Sequence, residues 1–184
     1  MATVTLGRTM SLDGFVNDRH GEVNWLYPDL QKLGETNLMK EAKKEVGAVV
    51  MGKHTFEMSD DPDWYAGNYE FQVPILVITP EAPGRIPKQT DELTITYVTD
   101  GVKSAIDQAK QAAGEKKVMV MGANVGQQLL REGLADMIEI AIMPVLLGKG
   151  LRLFEHLEDM EIRLEKLRVV ETGPRTDIWF EVVR

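Results

Sequence analysis

Two glycine-ended apolar runs carry the residues that could handle a phosphorylated ligand. Lys117-Val118-Met119-Val120-Met121 stops at Gly122, and Ala123-Asn124-Val125-Gly126-Gln127-Gln128-Leu129-Leu130 follows with a helical pattern. A strand, a glycine turn and a helix N-terminus in succession leave backbone N–H groups unpaired at the positive end of a helix dipole. Glycine also lets an anion approach the main chain. The other run, Gly47-Ala48-Val49-Val50-Met51, ends at Gly52-Lys53-His54-Thr55 before Phe56-Glu57-Met58. Lys53 offers a phosphate a point charge, and Thr55 offers a hydroxyl that can also cap a short helix. Neither junction is the G-x-G-x-x-G fingerprint, and each alone is more simply a turn and a capped helix with a solvated lysine. Together they suit a ligand with more than one phosphate, such as a dinucleotide.

The elements that must position these bends follow from periodicity. Gly47–Met51, Pro74–Thr79 and Lys117–Met121 are continuous apolar runs, as strands buried on both faces of a parallel sheet require. Thr94–Val98 and Thr3–Met10 are further strand candidates. Between them, Leu38, Met39, Ala42 and Val46 form one helical stripe, and Val102, Ala105, Ile106, Ala109 and Ala113 form another. Toward the C-terminus the pattern changes. Met137 to Pro144 alternates, and Ile162 to Thr172 and Asp177 to Val183 are joined by the turn Gly173-Pro174, so these three are expected as antiparallel strands at one edge. The expected fold is a three-layer α/β/α sandwich: a mostly parallel central sheet, antiparallel C-terminal strands, and helices on both faces. Ligands of such sheets sit at the carboxyl ends of the strands, where both glycine bends fall.

The chain of 184 residues is 43% hydrophobic and 27% charged, which reads as a single globular domain. With no cysteine it has no disulfide, thiolate zinc site or cysteine nucleophile. A formal charge of −8 without a basic tract argues against nucleic acid. No basic-then-apolar leader and no membrane-length apolar run are read, so no membrane partner and a cytoplasmic location are expected. His20, His54 and His156 lack ligand spacing, and no metal is expected. Trp64, Tyr65, Tyr69 and Phe71 could stack on a heterocycle, but anchoring a long loop to the core is the simpler use.

The ordered motifs resemble the dihydrofolate reductase-like family, on its riboflavin-biosynthesis deaminase-reductase branch. Met10-Ser11-Leu12-Asp13-Gly14 is similar to the family's opening. Gly52-Lys53-His54-Thr55-Phe56-Glu57 is similar to its Gly-Arg-x-Thr-aromatic-Glu motif. Leu134-Ala135-Asp136, then Pro144-Val145-Leu146-Leu147-Gly148-Lys149-Gly150 and Leu153-Phe154, resemble the C-terminal signature of the riboflavin branch. The resemblance implies a reduced nicotinamide cofactor, NADPH by the family's habit, with NADH left open. It implies Met10 and Trp25 near the nicotinamide, Lys53 and Thr55 at phosphates, and Thr79 near the adenosine. The turn of Gly122, Ala123, Asn124, Val125, Gly126 and Gln127 would hold the pyrophosphate.

A proton donor is implied at Asp29, which follows Trp25-Leu26-Tyr27-Pro28 as the family's acid follows its own Trp-x-x-Pro-like stretch. An acid after proline is also ordinary helix-start chemistry. The chain departs from the pattern at Lys53 for arginine, Ala123 for a second glycine, and Met121 for a substrate-binding glutamate. Asp60-Asp61-Pro62 lies one residue beyond the branch's acidic pair. The implied function is hydride transfer to a C=N bond of a pterin, pyrimidine or other heterocyclic small molecule. The alternatives are a 5-amino-6-(5-phosphoribosylamino)uracil reductase and a non-catalytic nucleotide-binding or dimerising module. Because the riboflavin branch dimerises and a C-terminal edge strand needs covering, a homodimer is expected.

Overall fold

The apolar runs pair into one eight-stranded sheet in a computed structural model that describes residues 1–28 and 30–183. In chain order the elements are β1 (Val4–Ser11), α1 (Leu30–Glu35), α2 (Asn37–Glu45), β2 (Val46–Gly52) and α3 (Lys53–Phe56). A 3-10 turn (Pro62–Trp64), α4 (Tyr65–Asn68), β3 (Ile75–Ile78), β4 (Ile95–Val98) and α5 (Val102–Ala113) come next. The chain continues with β5 (Lys117–Met121), α6 (Ala123–Arg131), β6 (Met137–Met143), β7 (Arg163–Thr172) and β8 (Arg175–Val183). The strand order is β4-β3-β2-β5-β1-β6-β8-β7. Strands β4 to β6 in that order run parallel, and β8 and β7 close the sheet antiparallel.

Each face has its own core. The α5 stripe and α6 residues Val125 and Leu129 bury Val4, Leu6, Val50, Val118 and Val120 on one side. On the other, Phe56, Tyr65 and Phe71 pack with Val49, Met51, Ile75, Val77 and Met119, with Met39 and Ala42 of α2 partly buried against them. The aromatic segment is therefore an anchor: Phe56 and Tyr65 stack with centroids 4.5 Å apart, and the Tyr65 hydroxyl donates to the Phe56 carbonyl at 2.9 Å. Burial raises the Tyr65 phenol to about 12, with Glu70 adding to the shift, so that hydroxyl stays a donor.

Two expectations need correction. Val46 does not extend the α2 stripe; it takes extended geometry and opens β2, because the helix runs into the strand without a loop. The pairing of β2 with β5 shifts register between Val46 and Ala48, which absorbs the abrupt change. Nor is β6 an antiparallel edge strand. The α6 crossover returns the chain beside β1, so β6 pairs parallel there from Thr5↔Met137 to Ser11↔Met143 and antiparallel only with β8. Gly173 has φ of 60°, and a positive φ followed by proline's fixed negative one suits the two-residue hairpin between β7 and β8.

Candidate functional site at the carboxyl rim

The two glycine bends leave the sheet side by side. Met51 of β2 pairs with Met121 of β5, so Gly52 and Gly122 sit on adjacent strands at the same level. Gly122 has φ of 104° and ψ of 135°, a conformation essentially confined to glycine. A Cβ on Gly122 would lie 2.7 Å from the Thr55 hydroxyl and 4.0 Å from the Gly52 nitrogen. One on Gly52 would lie 3.1 Å from a methyl group of Val125. The missing side chains are thus the condition for the two bends to touch.

The first turn of α6 offers main chain, not side chains. Gly126 N–H donates back to the Gly122 carbonyl at 2.9 Å, the helix's first closing bond, which leaves the N–H groups before it without helical acceptors. Ala123, Val125, Gly126 and Gln127 are buried, and only the Asn124 side chain is exposed. The Ala123 methyl belongs to the core beneath the turn. The Gln127 amide donates to the carbonyls of Arg152 (3.0 Å) and Leu153 (3.3 Å), tying α6 to the strap that follows β6.

At the neighbouring bend, Thr55 lies inside α3 and caps nothing, because Gly52 occupies the N-cap position without a side-chain bond. This corrects the capping expectation: the four-residue α3 already begins at Lys53, two residues before Thr55. So short a helix sums few peptide dipoles, and the charge at this bend comes from Lys53, which is exposed and 3.7 Å from Glu57. Thr79 follows β3, whose Ile78 pairs with Gly52. Its hydroxyl closes a turn by donating to the Glu81 carbonyl at 2.8 Å.

Met10 stands near the end of β1, partly buried against the core. Trp25 is 63% exposed in the tight turn in which Tyr27 N–H donates to the Asn24 carbonyl. The structure thus brings Gly52, Lys53, Thr55, Thr79 and Gly122 onto one rim across β3, β2 and β5, with Met10 two strands further from β2. Among the described residues, Trp25 makes no hydrogen bond or ring contact with them. Asp29 lies outside the described residues. The hydroxyl of Tyr69 is 3.2 Å from the Met121 sulfur, so a phenol and a thioether meet where the branch has a glutamate. Burial raises the Tyr69 phenol well above its ordinary value.

The segment after β1 and the strap after β6 are laced together at the same rim. The Asp13 carboxylate accepts from the Ser11 hydroxyl (2.6 Å), Gly148 N–H (2.8 Å) and Leu147 N–H (3.1 Å). These bonds, the Ser11 one foremost, hold its pKa at about 2. Leu151 N–H donates to the Asn17 side chain at 2.7 Å, and a Cβ on Gly150 would collide with the Asn17 carbonyl. Asp13, just before Gly14, is thereby a fixed turn former.

Hollows elsewhere do not compete: one of about 340 Å³ lies at the opposite rim, between Asp136, Glu165, Glu181, Val182 and Val183. Its three carboxylates would repel a phosphate. No group of metal ligands is found among the described residues, and no helix among them is long and apolar enough to cross a membrane.

Six parallel strands closed by an antiparallel pair, with glycine bends at adjacent carboxyl ends, define a dihydrofolate reductase-like α/β/α domain. The chain belongs to the family described as the RibD C-terminal domain, which matches residues 2–178. It is 24% identical to YwjB of Bacillus subtilis (strain 168), itself uncharacterized, over 166 residues covering 85% of each chain. A protein of Shewanella sp. PV-4 assigned provisionally to riboflavin biosynthesis shares the fold at a TM-score of 0.79 and 22% identity, over 100% of both chains. Dihydrofolate reductase from Enterococcus faecalis, solved with NADP(H) and RAB-propyl, shares it at a TM-score of 0.59 and 15% identity, over 98% of this chain and 96% of that one.

Proposed function

We propose that the protein is an NADPH-dependent reductase that delivers hydride to a C=N bond of a pterin, pyrimidine or similar heterocycle. The observation that carries the reading is the apposition of Gly52 and Gly122, with the Thr55 hydroxyl where a Gly122 side chain would be. That cradle suits a pyrophosphate, which needs main chain at close range and no Cβ in the way. Family membership and the resemblance to a reductase solved with NADP(H) point the same way.

In this reading the N–H groups of Ala123, Asn124 and Val125 bind the pyrophosphate. Lys53 and Thr55 take the remaining phosphate charge, and Thr79 flanks the adenosine. Met10 and Trp25 flank the nicotinamide. The reduced nicotinamide supplies the hydride; the protein's part is to fix its face against an electrophilic carbon and to bring a proton to the adjacent nitrogen. Asp29 is the assigned proton source. Titration with NADPH, followed by cofactor fluorescence, tests the reading: saturable binding is expected, and no binding at high micromolar concentration would remove it. Asp29→Asn should then lower kcat while leaving cofactor affinity unchanged.

The pairing of Tyr69 with Met121 favours a substrate other than a phosphoribosylamino-uracil, because a methionine stands where the riboflavin branch has its substrate-binding glutamate. The same feature supports the second reading, a nucleotide-binding module without chemistry. Tight NADPH binding without oxidation across pterins, flavin precursors and cyclic imines would select it. A homodimer through β7 is part of the proposal: β7 is the sheet's outer strand and exposes Leu164, Leu167 and Val169. Light scattering should give twice the 20.6 kDa chain mass.

A further inference from the structure

Two tyrosines stand over two methionines at the rim, and only one of the phenols has a good acceptor. Met51 and Met121 are register partners at the ends of β2 and β5. The Tyr65 hydroxyl is 4.0 Å from the Met51 sulfur, but it already donates to the Phe56 carbonyl at 2.9 Å. The Tyr69 hydroxyl is 3.2 Å from the Met121 sulfur, and that thioether is its only hydrogen-bond partner among the described residues. A thioether is a weak acceptor and leaves most of the donor's capacity unused. Holding a phenol away from water on so poor a partner costs stability, which a ligand's oxygen or nitrogen can recover.

The ring is held where it stands. Tyr65 and Phe71 flank it edge-on, with centroids 5.2 and 5.9 Å away. Its backbone is pinned as well: Tyr69 N–H donates to the Tyr65 carbonyl at 3.2 Å, and the Gln72 amide donates to the Tyr69 carbonyl at 2.7 Å. Tyr69 and Met121 are both only partly buried against the aromatic core, so the pair keeps an open side. Met121 immediately precedes Gly122, yet its side chain belongs to the face opposite α6, whose Val125 and Leu129 join the other core. A ligand on this phenol is therefore beside the Gly122 turn and across the sheet from α6. That is a place for the substrate, next to the cofactor and apart from its phosphates. Charge narrows the ligand further. Burial foremost, then Glu70, raises the Tyr69 phenol, and Arg8 opposes them by less. The hydroxyl stays a protonated donor, and the charge around it disfavours an anion.

We infer that Tyr69 is a substrate-binding residue whose hydroxyl donates to a neutral acceptor, a carbonyl oxygen or an unprotonated ring nitrogen, on a planar heterocycle lying beside Met121. The inference rests on the reductase reading of this rim and deepens it, because it sets the hydrogen-bonding sense of the substrate's edge at this wall. An amino group in that place would meet a donor and a thioether, and would lose its bonds to water without replacement. A site built to hydrogen-bond one edge rejects the mismatched edge more strongly than shape alone can.

Lumazine and 2,4-diaminopteridine are the probes, because they share a ring system and carry carbonyl oxygens or amino groups at the same two positions. Their binding is followed by pteridine fluorescence with and without NADP+, which allows no turnover. Wild type should prefer lumazine by about tenfold or more, and Tyr69→Phe should erase that preference by weakening lumazine alone, with its melting temperature near that of wild type. Tyr65→Phe removes the phenol that has an internal acceptor; it should lower the melting temperature and leave the preference intact. Met121→Glu puts an acceptor at the wall and should turn the preference toward 2,4-diaminopteridine. Equal binding of the two pteridines by wild type, binding of neither, or a preference that survives Tyr69→Phe would overturn the inference, and saturable NADPH binding by the same samples would leave the cofactor reading standing. A Tyr69-dependent preference in a protein that binds no NADPH would keep the role of Tyr69 and remove the reductase reading.

Discussion

Replacing Gly122 by alanine tests the geometry of the rim at a single atom. The backbone there has φ of 104°, where a Cβ costs about 1–3 kcal/mol. The new methyl would stand 2.7 Å from the Thr55 hydroxyl, inside contact distance. Turning Thr55 away from its rotamer adds roughly 0.5–1.5 kcal/mol. The stiffer unfolded chain returns about 0.4–1 kcal/mol. The net loss is about 2 kcal/mol, which moves a urea midpoint by about 1 M at an ordinary slope. Adding Thr55→Ala removes the hydroxyl contact and should recover about 1 kcal/mol, but not the backbone part, so a double-mutant cycle separates the two. NADPH affinity should fall in Gly122→Ala whether or not Thr55 is changed, because the methyl occupies the phosphate's approach. A variant as stable as wild type, or one fully restored by Thr55→Ala, would refute this account of the turn.

Other changes reach different parts of the molecule. Lys53→Ala should weaken NADPH by about fivefold, corresponding to ~1 kcal/mol for an exposed charge pair, and weaken NADH less; parallel fluorescence titrations at low and high salt measure this. The buried pair of Asp177 and Arg175 behaves differently from a surface bridge. Burial raises the Asp177 carboxyl despite Arg175, so Asp177→Asn should cost about 3–5 kcal/mol by stranding the arginine, while Arg175→Met with Asp177→Leu should return close to wild type or above it in urea unfolding. Asp13 carries a depressed pKa of about 2, below its ordinary 3.8, so the stability it contributes is full above the ordinary value and drains away as pH falls toward 2. Acid unfolding followed by circular dichroism should show that loss in the wild type, whereas Asp13→Asn should start less stable and lack that part of the slope.

Much of the frame was legible because burial leaves a plain signature in sequence. The run Lys117–Met121 became β5 without change, and the five apolar positions of Val102–Ala113 are the five buried residues of α5. What failed depended on neighbours that sequence cannot name. Alternation in Met137–Met143 shows a strand and its faces, but not whether β1 or β8 lies beside it; it has both. Val46 continued a helical stripe by spacing, yet the strand pairing that follows claimed it. The glycine bends were visible as types, and their contact rests on the Met51↔Met121 register, a long-range fact. Thr55 has the residue type of a helix cap, yet it lies inside α3 and its hydroxyl stands against Gly122 across the rim, a contact that sequence alone does not reveal.

Amide resonances recorded during an NADPH titration of isotope-labelled protein bear most directly on the central claim, that two adjacent bends hold one dinucleotide. Gly122, Ala123 and Asn124 should shift together with Gly52, Lys53 and Thr55, along a single saturation curve. Shifts confined to one bend, or gathered instead at Asp136, Glu165 and Glu181 on the far rim, would contradict it.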